Sequence, residues 1–480
     1  MISLVPTPKI SNVNDESYHP VAPSIHSQTE KWHKYINSFS EIFDKIFGIT
    51  LSNTGGGIEL IEDLSIKAGA YKIETKDTFK IYASDDEGIA YGLSSVLQLV
   101  KVSETGIRVQ DISVEDWADK DYRALMVDLG REWHPFDKLL RFVDVCFMFK
   151  IKYLNLHFTD TLLYTLPSKA YPKLSSEGKH YSFEQIEYLN KYASAKGVVL
   201  IPEYECPGHA PLLTRAYPEI FADKYDNDSV SEYYTETGEL VSSDELICAG
   251  SDTAWQATKI ILREICDMFP DAPYINIGGD EANIKLWNEC SVCREYMGKH
   301  GLADEYELYS EYIARVTDYI FELGKTPLVW EGFPKKGCER INKDTIVIAW
   351  ESHYHLAPDL LKAGFRIINS SWQPLYIVPC TKARWDTYDI LAWNVYNWQH
   401  WWEKSVATLN PISVEPTDRV LGAMLCTWQQ CFEEEIRLVM ENLSAMSERC
   451  WSTARVCTDD EFLEKHKPLM GLVSKVIRDV

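Results

Sequence analysis

Two adjacent carboxylates follow a pair of glycines in the segment YINIGGDEAN, residues 274–283. Neighbouring side chains on a regular strand point to opposite faces, so Asp280 and Glu281 converge on one substrate only if the chain has left the strand. Gly278 and Gly279 permit such a turn. Two carboxyl groups held close together do not both ionise easily, and the raised pKa of one of them suits a general acid near neutral pH. A solvated acidic turn would have the same composition, so the motif alone leaves both interpretations open.

From Tyr122 onward, the chain around this motif alternates short apolar segments with longer helical patterns. The pattern predicts strands over Arg123–Asp128, Tyr153–Phe158, Val198–Pro202, Tyr274–Ile277, Thr326–Trp330, Thr345–Trp350, Arg366–Ser370 and Val420–Thr427. It predicts helices over Phe136–Phe149, Phe183–Lys196 (with Ser182 as N-cap), Thr253–Phe269, Asp304–Leu323 and Leu356–Lys362. Eight strands alternating with helices predict an α/β fold, a (β/α)8 TIM barrel, with a doubly wound sheet as the competing arrangement.

The first 120 residues follow a different pattern and predict a small α+β domain that precedes the barrel. Helical patterns cover His26–Phe47 and Gly88–Val100. Between them lie a glycine turn at Gly55–Gly57 and the alternating segments AYKIET and TFKIYAS, which are typical of strands. The predicted division is therefore a domain over residues 1–120 and a barrel with C-terminal helices over residues 121–480.

A barrel of this kind has its active site where the strands end. The residues at or just after the predicted strand ends are mostly acidic residues and tryptophans: Asp128, Asp160, Glu203, Asp280, Glu281, Trp330, Glu331, Trp350, Glu351, Trp372 and Trp428. Indole rings stack on the apolar C–H face of a pyranose, and carboxylates bind sugar hydroxyls or transfer protons. A single tryptophan at such a place is more often part of the core, but four at equivalent places predict a carbohydrate pocket.

The 480 residues carry 48 Lys+Arg against 72 Asp+Glu, a formal net charge of −24. Such a surface repels nucleic acid and anionic membranes, so neither is expected as a partner. The segment MISLVPTPKISNVNDE has neither the basic start nor the apolar run of a signal peptide, and no segment approaches the ~20 apolar residues of a membrane span. We therefore expect a cytoplasmic protein, and the sequence carries no signal for an oligomeric state.

Twelve cysteines are scattered along the chain, and several of them lie in apolar segments, where a free thiol packs as a small hydrophobe. Cys290 and Cys293 form the single CxxC motif. A zinc site would require a second pair of ligands at a matching spacing, and the sequence shows none. We therefore predict that the chain binds no metal.

Several motifs, in order along the chain, resemble those of glycoside hydrolase family 20, the β-N-acetylhexosaminidases. They are RALMVDLGREWHP at the first predicted strand of the barrel, LNLHFTD (154–160), IPEYECPGHA (201–210), ICAG (247–250), GGDE (278–281) and GAMLCTWQQ (422–430). The resemblance extends from about Gly88 to Trp451, and the N-terminal residues resemble the small domain that precedes the barrel in this family. It implies hydrolysis of terminal β-linked GlcNAc or GalNAc from an oligosaccharide or glycoconjugate.

The mechanism implied by the resemblance is one in which the substrate assists. Glu281 matches the general acid/base that protonates the leaving oxygen. Asp280 matches the residue that orients the 2-acetamido group and stabilises its positive charge while its carbonyl oxygen attacks the anomeric carbon. The intermediate is an oxazolinium ion, which water opens with retention of configuration. This chemistry requires no metal and no organic cofactor.

Other positions carry over one at a time from the family's pattern. Asp160 and His209 match a polar pair that contacts the general acid. Arg123 matches the arginine that binds sugar hydroxyls, although an ion pair at a strand end is its alternative role. Aromatic residues match the walls of the acetamido pocket and the tyrosine that bonds the acetamido oxygen: Trp330, Trp350 and Trp428, the weaker match Trp385, and Tyr376.

The sequence departs from the family's pattern at four positions. Asn276 stands where the family has His, and Thr161 stands where it has a second Asp. Val378 and Gln430 replace the Asp or Asn and the Glu that bind O4 and O6 of the sugar. The reaction machinery is therefore expected to be kept while the sugar-recognition edge is altered. Lys382 and Arg384 follow closely and would suit an anionic substituent, although a surface role is the alternative.

Two competing interpretations remain open. A two-carboxylate retaining β-glycosidase on the same barrel would use Glu281 as acid and Glu203 or Glu331 as nucleophile. A sugar-binding barrel without catalysis would have no need for the proton donor and its neighbours. The first predicts activity on sugars that lack a 2-acetamido group, and the second predicts binding without turnover.

Overall fold

The computed structural model of the chain describes residues 2–104, 106–223, 232–234, 240–242, 246–379 and 384–478. The N-terminal part is a mixed sheet in the order β1-β7-β4-β5-β3-β2, with β6 paired to β7 and two helices packed against it. Its elements are β1 (Ile10–Val21), β2 (Ile25–Ser27), α1 (His33–Phe47), β3 (Ile58–Glu62), β4 (Tyr71–Glu74), β5 (Phe79–Ala83), α2 (Asp86–Leu99), β6 (Lys101–Ser103) and β7 (Gly106–Asp116). This is the predicted α+β arrangement, except that the helix predicted from His26 begins at His33, because residues 25–27 pair with β3.

Within the described residues, eight parallel strands form a closed barrel in the order β8-β9-β10-β13-β14-β15-β16-β20, and β20 pairs with β8. The strands of this part are β8 (Tyr122–Asp128), β9 (Tyr153–His157), β10 (Val199–Glu203), β11 (Glu232–Tyr234), β12 (Leu240–Ser242), β13 (Tyr274–Asn276), β14 (Thr326–Trp330), β15 (Ile346–Ala349), β16 (Arg366–Asn369), β17 (Tyr376–Ile377), β18 (Asn397–Trp398), β19 (Ile412–Ser413) and β20 (Val420–Thr427). Closure excludes the doubly wound sheet and confirms the TIM barrel.

Helices cover the outside of the barrel, as its connections require. They are α3 (Phe136–Met148), α4 (Phe183–Ser194), α5 (Pro211–Ala216), α6 (Pro218–Phe221), α7 (Asp252–Met268), α8 (Ser291–His300), α9 (Glu305–Glu322), α10 (Ala357–Lys362), α11 (Trp372–Leu375), α12 (Thr387–Ala392), α13 (Val406–Leu409), α14 (Phe432–Trp451) and α15 (Asp459–Ile477). Ser182 caps α4 as predicted, because its hydroxyl accepts from Gln185 N at 3.2 Å. None of the helices among the described residues is long and apolar enough to cross a membrane.

Side-chain alternation in β8 separates the two layers of the barrel core. Ala124 and Met126 pack inside the barrel with residues of the other strands, whereas Leu125 and Val127 belong to the core between strands and helices. Asp128, at the carboxyl end, accepts a hydrogen bond from Arg131 N at 3.0 Å, in the loop that follows the strand. Residues that face inward at the carboxyl ends of the strands are therefore the ones that reach the site.

The prediction that Arg123 binds the sugar is wrong. Arg123 lies near the amino end of β8 and on its outward face, so it is fully buried against α2, at the end of the barrel opposite to the site. Its guanidinium donates to Lys150 O at 3.1 Å and to the Tyr91 hydroxyl, and lies 3.7 Å from the Glu87 carboxylate. Arg123 therefore joins the barrel to the N-terminal domain.

A second buried polar group fixes the same contact between the two domains. The carboxylate of Asp116, at the end of β7, accepts hydrogen bonds from the Tyr71 hydroxyl at 2.7 Å and from Trp451 Nε1 at 2.8 Å. Lys150 Nζ lies 3.6 Å from the same carboxylate, and burial lowers the pKa of this lysine to about 8. The predicted boundary at residue 120 lies in the short connection between this aspartate and β8.

Candidate active site

A cavity of about 410 Å³ opens at the carboxyl ends of the barrel strands. Acidic, histidine and aromatic side chains dominate its lining, which includes Arg131, His157, Asp160, Glu205, His209, Asp280, Glu281, Trp350, Glu351, Trp372, Tyr376, Val378, His400, Trp401, Trp402, Trp428 and Gln429. Such a combination of aromatic surface and convergent polar groups is typical of a small-ligand site.

The two adjacent carboxylates reach this cavity through a tight turn after β13. Gly278 and Gly279 adopt φ values of 64° and 90°, and Glu281 itself adopts 45°, a left-handed conformation that is uncommon outside glycine. A Cβ atom on Gly278 would lie 1.7 Å from Glu205 Oε2, so no other residue fits there while Glu205 keeps its place. The turn places both Asp280 and Glu281 on the same cavity.

A chain of charged groups extends behind Glu281. His209 Nε2 lies 3.4 Å from Glu281 Oε2, and His209 Nδ1 lies 3.5 Å from Asp160 Oδ1. The other oxygen of Asp160 lies 2.8 Å from Arg131 Nη2 and 2.7 Å from His157 Nε2. The structure thus brings together the predicted residues Asp160, His209 and Glu281.

Burial and charge oppose each other in this chain. Burial alone would lower the pKa of His209, but the carboxylates of Asp160, Glu281 and Asp280 raise it well above its usual value. Burial would raise the pKa of Asp160, but Arg131 and the two histidines lower it below its usual range. At neutral pH the pair is therefore an imidazolium next to a carboxylate, and it fixes a positive charge beside the candidate acid.

Asp280 is buried beside that imidazolium. Burial raises the pKa of its carboxyl group to about 7, the charges of Glu281 and Glu203 add to this, and His209 opposes it. Its Oδ1 atom is buried without a hydrogen-bond partner among the described residues. The group is therefore destabilised as an anion and has an acceptor position that a ligand can use.

Four aromatic rings form a closed box on one side of the cavity. The centroids of neighbouring rings are 6.1 Å apart for Trp330–Trp350, 6.0 Å for Trp350–Tyr376, 6.0 Å for Tyr376–Trp428 and 6.1 Å for Trp428–Trp330. Trp350, Tyr376 and Trp428 line the cavity, whereas Trp330 is buried behind them and donates from Nε1 to Glu203 at 2.6 Å. The Tyr376 hydroxyl is buried and has no hydrogen-bond partner within the described ranges.

Two further predicted residues do not line the cavity. Trp385 is half-buried and Gln430 is buried, but neither is among the lining residues. Gln429, in a left-handed conformation with φ 53°, occupies the lining position instead of its neighbour. Arg384 is exposed, and Lys382 lies outside the described residues.

Several residues of the site were not predicted from the sequence, and Arg131 is the clearest of them. Arg131 lies in the segment RALMVDLGREWHP, three residues after the end of β8, whereas the arginine selected there was at its start. His157 and Glu205 were also not predicted as site residues, although each lies at a strand end or within two residues of it. Glu351, which was predicted as one of the acids at a strand end, does line the cavity. The rule that barrel sites form at carboxyl strand ends identifies all of these residues.

Glu203 and Glu331, the alternative nucleophiles, do not line the cavity. Both are fully buried. Glu203 is bonded to Trp330 Nε1 and lies 3.0 Å from His157 Nδ1. Glu331 accepts hydrogen bonds from backbone N–H groups between residues 350 and 355, including Ser352 N at 3.0 Å and His353 N at 2.9 Å. These carboxylates hold strands and loops together and have no access to an anomeric carbon.

Three groups of side chains, among those described, bring potential metal ligands within 4.8 Å of one another. Two of them, His157–Glu203–Glu205 and His209–Asp280–Glu281, belong to the charged network of the cavity. The third joins the CxxC motif to Cys248 and Asp223. Cys248 and Asp223 are therefore further candidate ligands near this motif that the spacing of the sequence did not reveal.

Two family models match this chain, and known relatives of the same enzyme family resemble it. The catalytic-domain model of glycosyl hydrolase family 20 matches residues 121–454, and the model of domain 2 of that family matches residues 1–117. A β-hexosaminidase of Akkermansia muciniphila is 29% identical over 348 residues, which cover 68% of this chain and 68% of that protein. A β-hexosaminidase subunit β of Entamoeba histolytica is 25% identical over 439 residues, with 86% and 74% covered.

Solved structures show the same fold. The GH20 exo-β-N-acetylglucosaminidase from Vibrio harveyi, in complex with N-acetylglucosamine, superposes with a TM-score of 0.84 at 21% identity and covers 98% of this chain and 77% of that chain. A β-N-acetylhexosaminidase from Bacteroides fragilis gives 0.78 at 21% identity, with 96% and 93% covered. At these identities the likeness concerns the fold.

The buried carboxyl of Asp280 predicts a pH-dependent stability. Its pKa is raised from the ordinary value of 3.8 to about 7, so the folded state binds the proton more tightly, and stability is lost as pH rises between these values. Asp280→Asn should therefore be more stable than the wild type at pH 8, by on the order of a few kcal/mol, and by much less at pH 4. Urea unfolding at both pH values measures this, with the exposed Asp267→Asn as control. The same difference at both pH values would contradict the prediction.

Proposed function

The chain belongs to glycosyl hydrolase family 20, and from this premise we propose that it is a retaining exo-β-N-acetylhexosaminidase whose substrate's own acetamido group is the nucleophile. The observation behind the proposal is a pair of buried polar atoms, Asp280 Oδ1 and the Tyr376 hydroxyl, that have no hydrogen-bond partner among the described residues and belong to residues that line the cavity. An acetamido group has one N–H donor and one carbonyl acceptor. Asp280 accepts from the first and Tyr376 donates to the second, which satisfies four groups at once.

The aromatic box supports the same assignment. Trp350, Trp428 and Tyr376 enclose a space that suits the methyl group of an acetyl substituent. Their rings exclude water from the carbonyl oxygen and restrict its rotation, so that the oxygen stays close to the anomeric carbon. A sugar with a 2-hydroxyl would leave this space unfilled and both polar atoms unpaired, so the box also selects the substrate.

The reaction takes two steps. First, the Glu281 carboxyl protonates the glycosidic oxygen while the acetamido carbonyl oxygen attacks the anomeric carbon and the bond to the aglycone breaks. The positive charge of the oxazolinium ion is stabilised by the Asp280 carboxylate. Second, Glu281 takes a proton from a water molecule, whose oxygen attacks the anomeric carbon and opens the oxazolinium ring. Two inversions at one carbon give net retention.

His209 and Asp160 position the acid in this scheme. His209 lies within 3.4 Å of Glu281 and is itself held by Asp160, so the Glu281 side chain has a fixed partner despite its exposure to the cavity. Arg131 lies 2.8 Å from Asp160 and also lines the cavity, where its guanidinium is within reach of sugar hydroxyls. We assign to it the hydroxyl-binding role first expected of Arg123.

Replacement of Glu281 by glutamine tests this function. Glu281→Gln keeps the shape and removes the proton, so general-acid assistance of about 10²–10⁴-fold should be lost on alkyl β-GlcNAc glycosides. The loss should be much smaller for a dinitrophenyl glycoside, whose leaving group needs no protonation. Steady-state kinetics on both substrates decides the question, with the exposed Glu433→Gln as control. Equal losses on both substrates would contradict the acid role, and a wild type that binds GlcNAc without turnover would show a binding protein.

We further propose that recognition of O4 and O6 is altered. Val378 lines the cavity, its side chain is unable to bond a hydroxyl, and the Gln430 side chain carries no charge. Neither Asp386 nor Glu433 replaces the missing carboxylates. The Asp386 carboxylate caps α12 by accepting from Tyr388 N at 2.9 Å, and Glu433 is exposed; neither lines the cavity. The part of the sugar site next to Val378 should therefore tolerate a substituent at C6 of the sugar, including an anionic one.

The Val378→Asp variant tests the altered edge. A restored carboxylate should raise kcat/KM for plain GlcNAc glycosides by about ten- to hundredfold, since a charged hydrogen bond contributes about 1.5–3 kcal/mol. It should lower kcat/KM for 6-sulfo-GlcNAc glycosides because of like-charge repulsion. Val378→Asn is the matched control, with the same shape and no charge. If the wild type already prefers plain GlcNAc strongly and Val378→Asp changes neither substrate, the proposal is wrong.

A further inference from the structure

Three cysteines and an aspartate from three separate segments of the chain lie close together. Cys248 Sγ lies 3.7 Å from both Cys290 Sγ and Cys293 Sγ, and Cys293 Sγ lies 3.7 Å from Asp223 Oδ1. All four atoms lie within 4.8 Å of one another, and the three cysteines are buried. None of these residues touches the catalytic cavity.

The three distances of 3.7 Å match the edges of a tetrahedron around one ion. A tetrahedral edge is about 1.63 times the metal–ligand distance, so a Zn–S distance of about 2.3 Å requires sulfur atoms about 3.75 Å apart. A disulfide requires about 2.05 Å between sulfurs, and it joins only two of them. Three thiols and a carboxylate around one point therefore fit a shared cation better than any pairing among themselves.

The local structure favours thiolates at this place. Cys290 is the N-cap of α8 and Cys293 lies in its first turn, where the helix dipole stabilises negative charge. Gly250 N donates to Cys293 Sγ at 3.4 Å, a hydrogen bond that supports a metal-bound sulfur. A Cβ atom on Gly250 would lie 2.8 Å from Cys293 Cα, so glycine is what allows the Cys248 loop to approach the CxxC motif.

We propose that Asp223, Cys248, Cys290 and Cys293 bind one structural zinc ion. Three soft thiolates select zinc over calcium and magnesium, which prefer oxygen ligands. Four protein ligands complete the tetrahedron and leave no open position, so the ion is structural and takes no part in the hydrolysis.

The ion would hold together the loops that carry the acid and its histidine. Cys290 ends the segment that follows Glu281, and within that segment Trp287 Nε1 donates to Ile247 O at 3.1 Å. Ile247 N in turn donates to Pro207 O at 2.9 Å, in the loop that carries His209. An ion bound to Cys248 and the CxxC motif would add a coordination cross-link between the segment of Ile247 and the segment that follows Glu281.

The metal content of the full-length protein tests the site. Protein purified with reduced thiols and without added metal should contain one zinc per chain by elemental analysis. After removal of zinc by a chelator, Co²⁺ should bind with the visible bands of a tetrahedral ion and the near-ultraviolet charge-transfer bands of thiolate ligands. Cys293→Ser should lose the zinc, whereas Cys266→Ser, which removes another buried cysteine, should keep it. Chelation should lower the Tm of the wild type and of Cys266→Ser.

The opposite results would overturn the proposal. One such result is that the reduced wild-type protein binds neither zinc nor Co²⁺. The other is a disulfide that involves Cys248, found by mass spectrometry after thiols are alkylated at cell lysis. The wild-type Co²⁺ titration decides the matter even if Cys293→Ser does not fold. Asp223→Asn should weaken Co²⁺ binding and keep the charge-transfer bands; unchanged affinity would show that Asp223 is not the fourth ligand.

Discussion

Five carboxyl groups share one cavity at the end of this barrel: Asp160, Glu205, Asp280, Glu281 and Glu351. Burial and mutual repulsion raise the pKa of Asp280 to about 7 and the pKa values of Glu205 and Glu351 well above their usual range. The positive charges of Arg131, His157 and His209 offset this repulsion. The carboxylates raise the pKa values of both histidines. A site that both donates and accepts a proton near neutral pH depends on this balance, and the surrounding structure serves to hold these groups in place.

Several non-glycine residues around the cavity adopt a strained, left-handed backbone conformation. The non-glycine residues with left-handed backbone, among those described, are Lys150, His209, Glu281, Ser352 and Gln429, and all but the first lie in loops at the carboxyl ends of the barrel strands. Buried acids restrain these loops. Asp128 accepts from Arg131 N at 3.0 Å and from Gln429 N at 3.3 Å, and Glu331 accepts from successive backbone N–H groups after β15. Such conformations persist only where the surroundings fix them.

The barrel was predictable because its strands are buried on both faces and are read as continuous apolar segments. Each predicted strand agrees with the observed one to within one residue at either end, as in β14 (Thr326–Trp330). Asp280 and Glu281 were predictable because the two glycines reveal that the chain turns. Arg123 was misassigned because motif similarity was applied without the alternation of β8, which turns residue 123 outward and residue 128 toward the site.

Other features depend on contacts that no local pattern reveals. Cys248 is distant in sequence from the CxxC motif and comes from a different loop, so spacing alone gave no sign of the cluster. The pKa of Asp280 depends on burial and on His209, from another strand end. The position of Gln429 in place of Gln430 follows from its left-handed backbone, which a sequence does not specify. These features arise where several loops meet, and tertiary packing decides them.

The central claim, that the acetamido oxygen is the nucleophile, is tested most directly by fluorination of the substrate's acetyl methyl group. Each fluorine withdraws electron density from the carbonyl oxygen and weakens it as a nucleophile, while the leaving group and the Glu281 acid stay the same. Inhibition constants of the matching fluorinated sugars measure how well each acyl group fits the pocket, separately from its reactivity as a nucleophile. We predict that kcat/KM for aryl glycosides falls progressively from acetyl to trifluoroacetyl while binding changes little. A kcat/KM that does not change along the series, together with a glycosyl ester trapped on a carboxylate, would contradict the account.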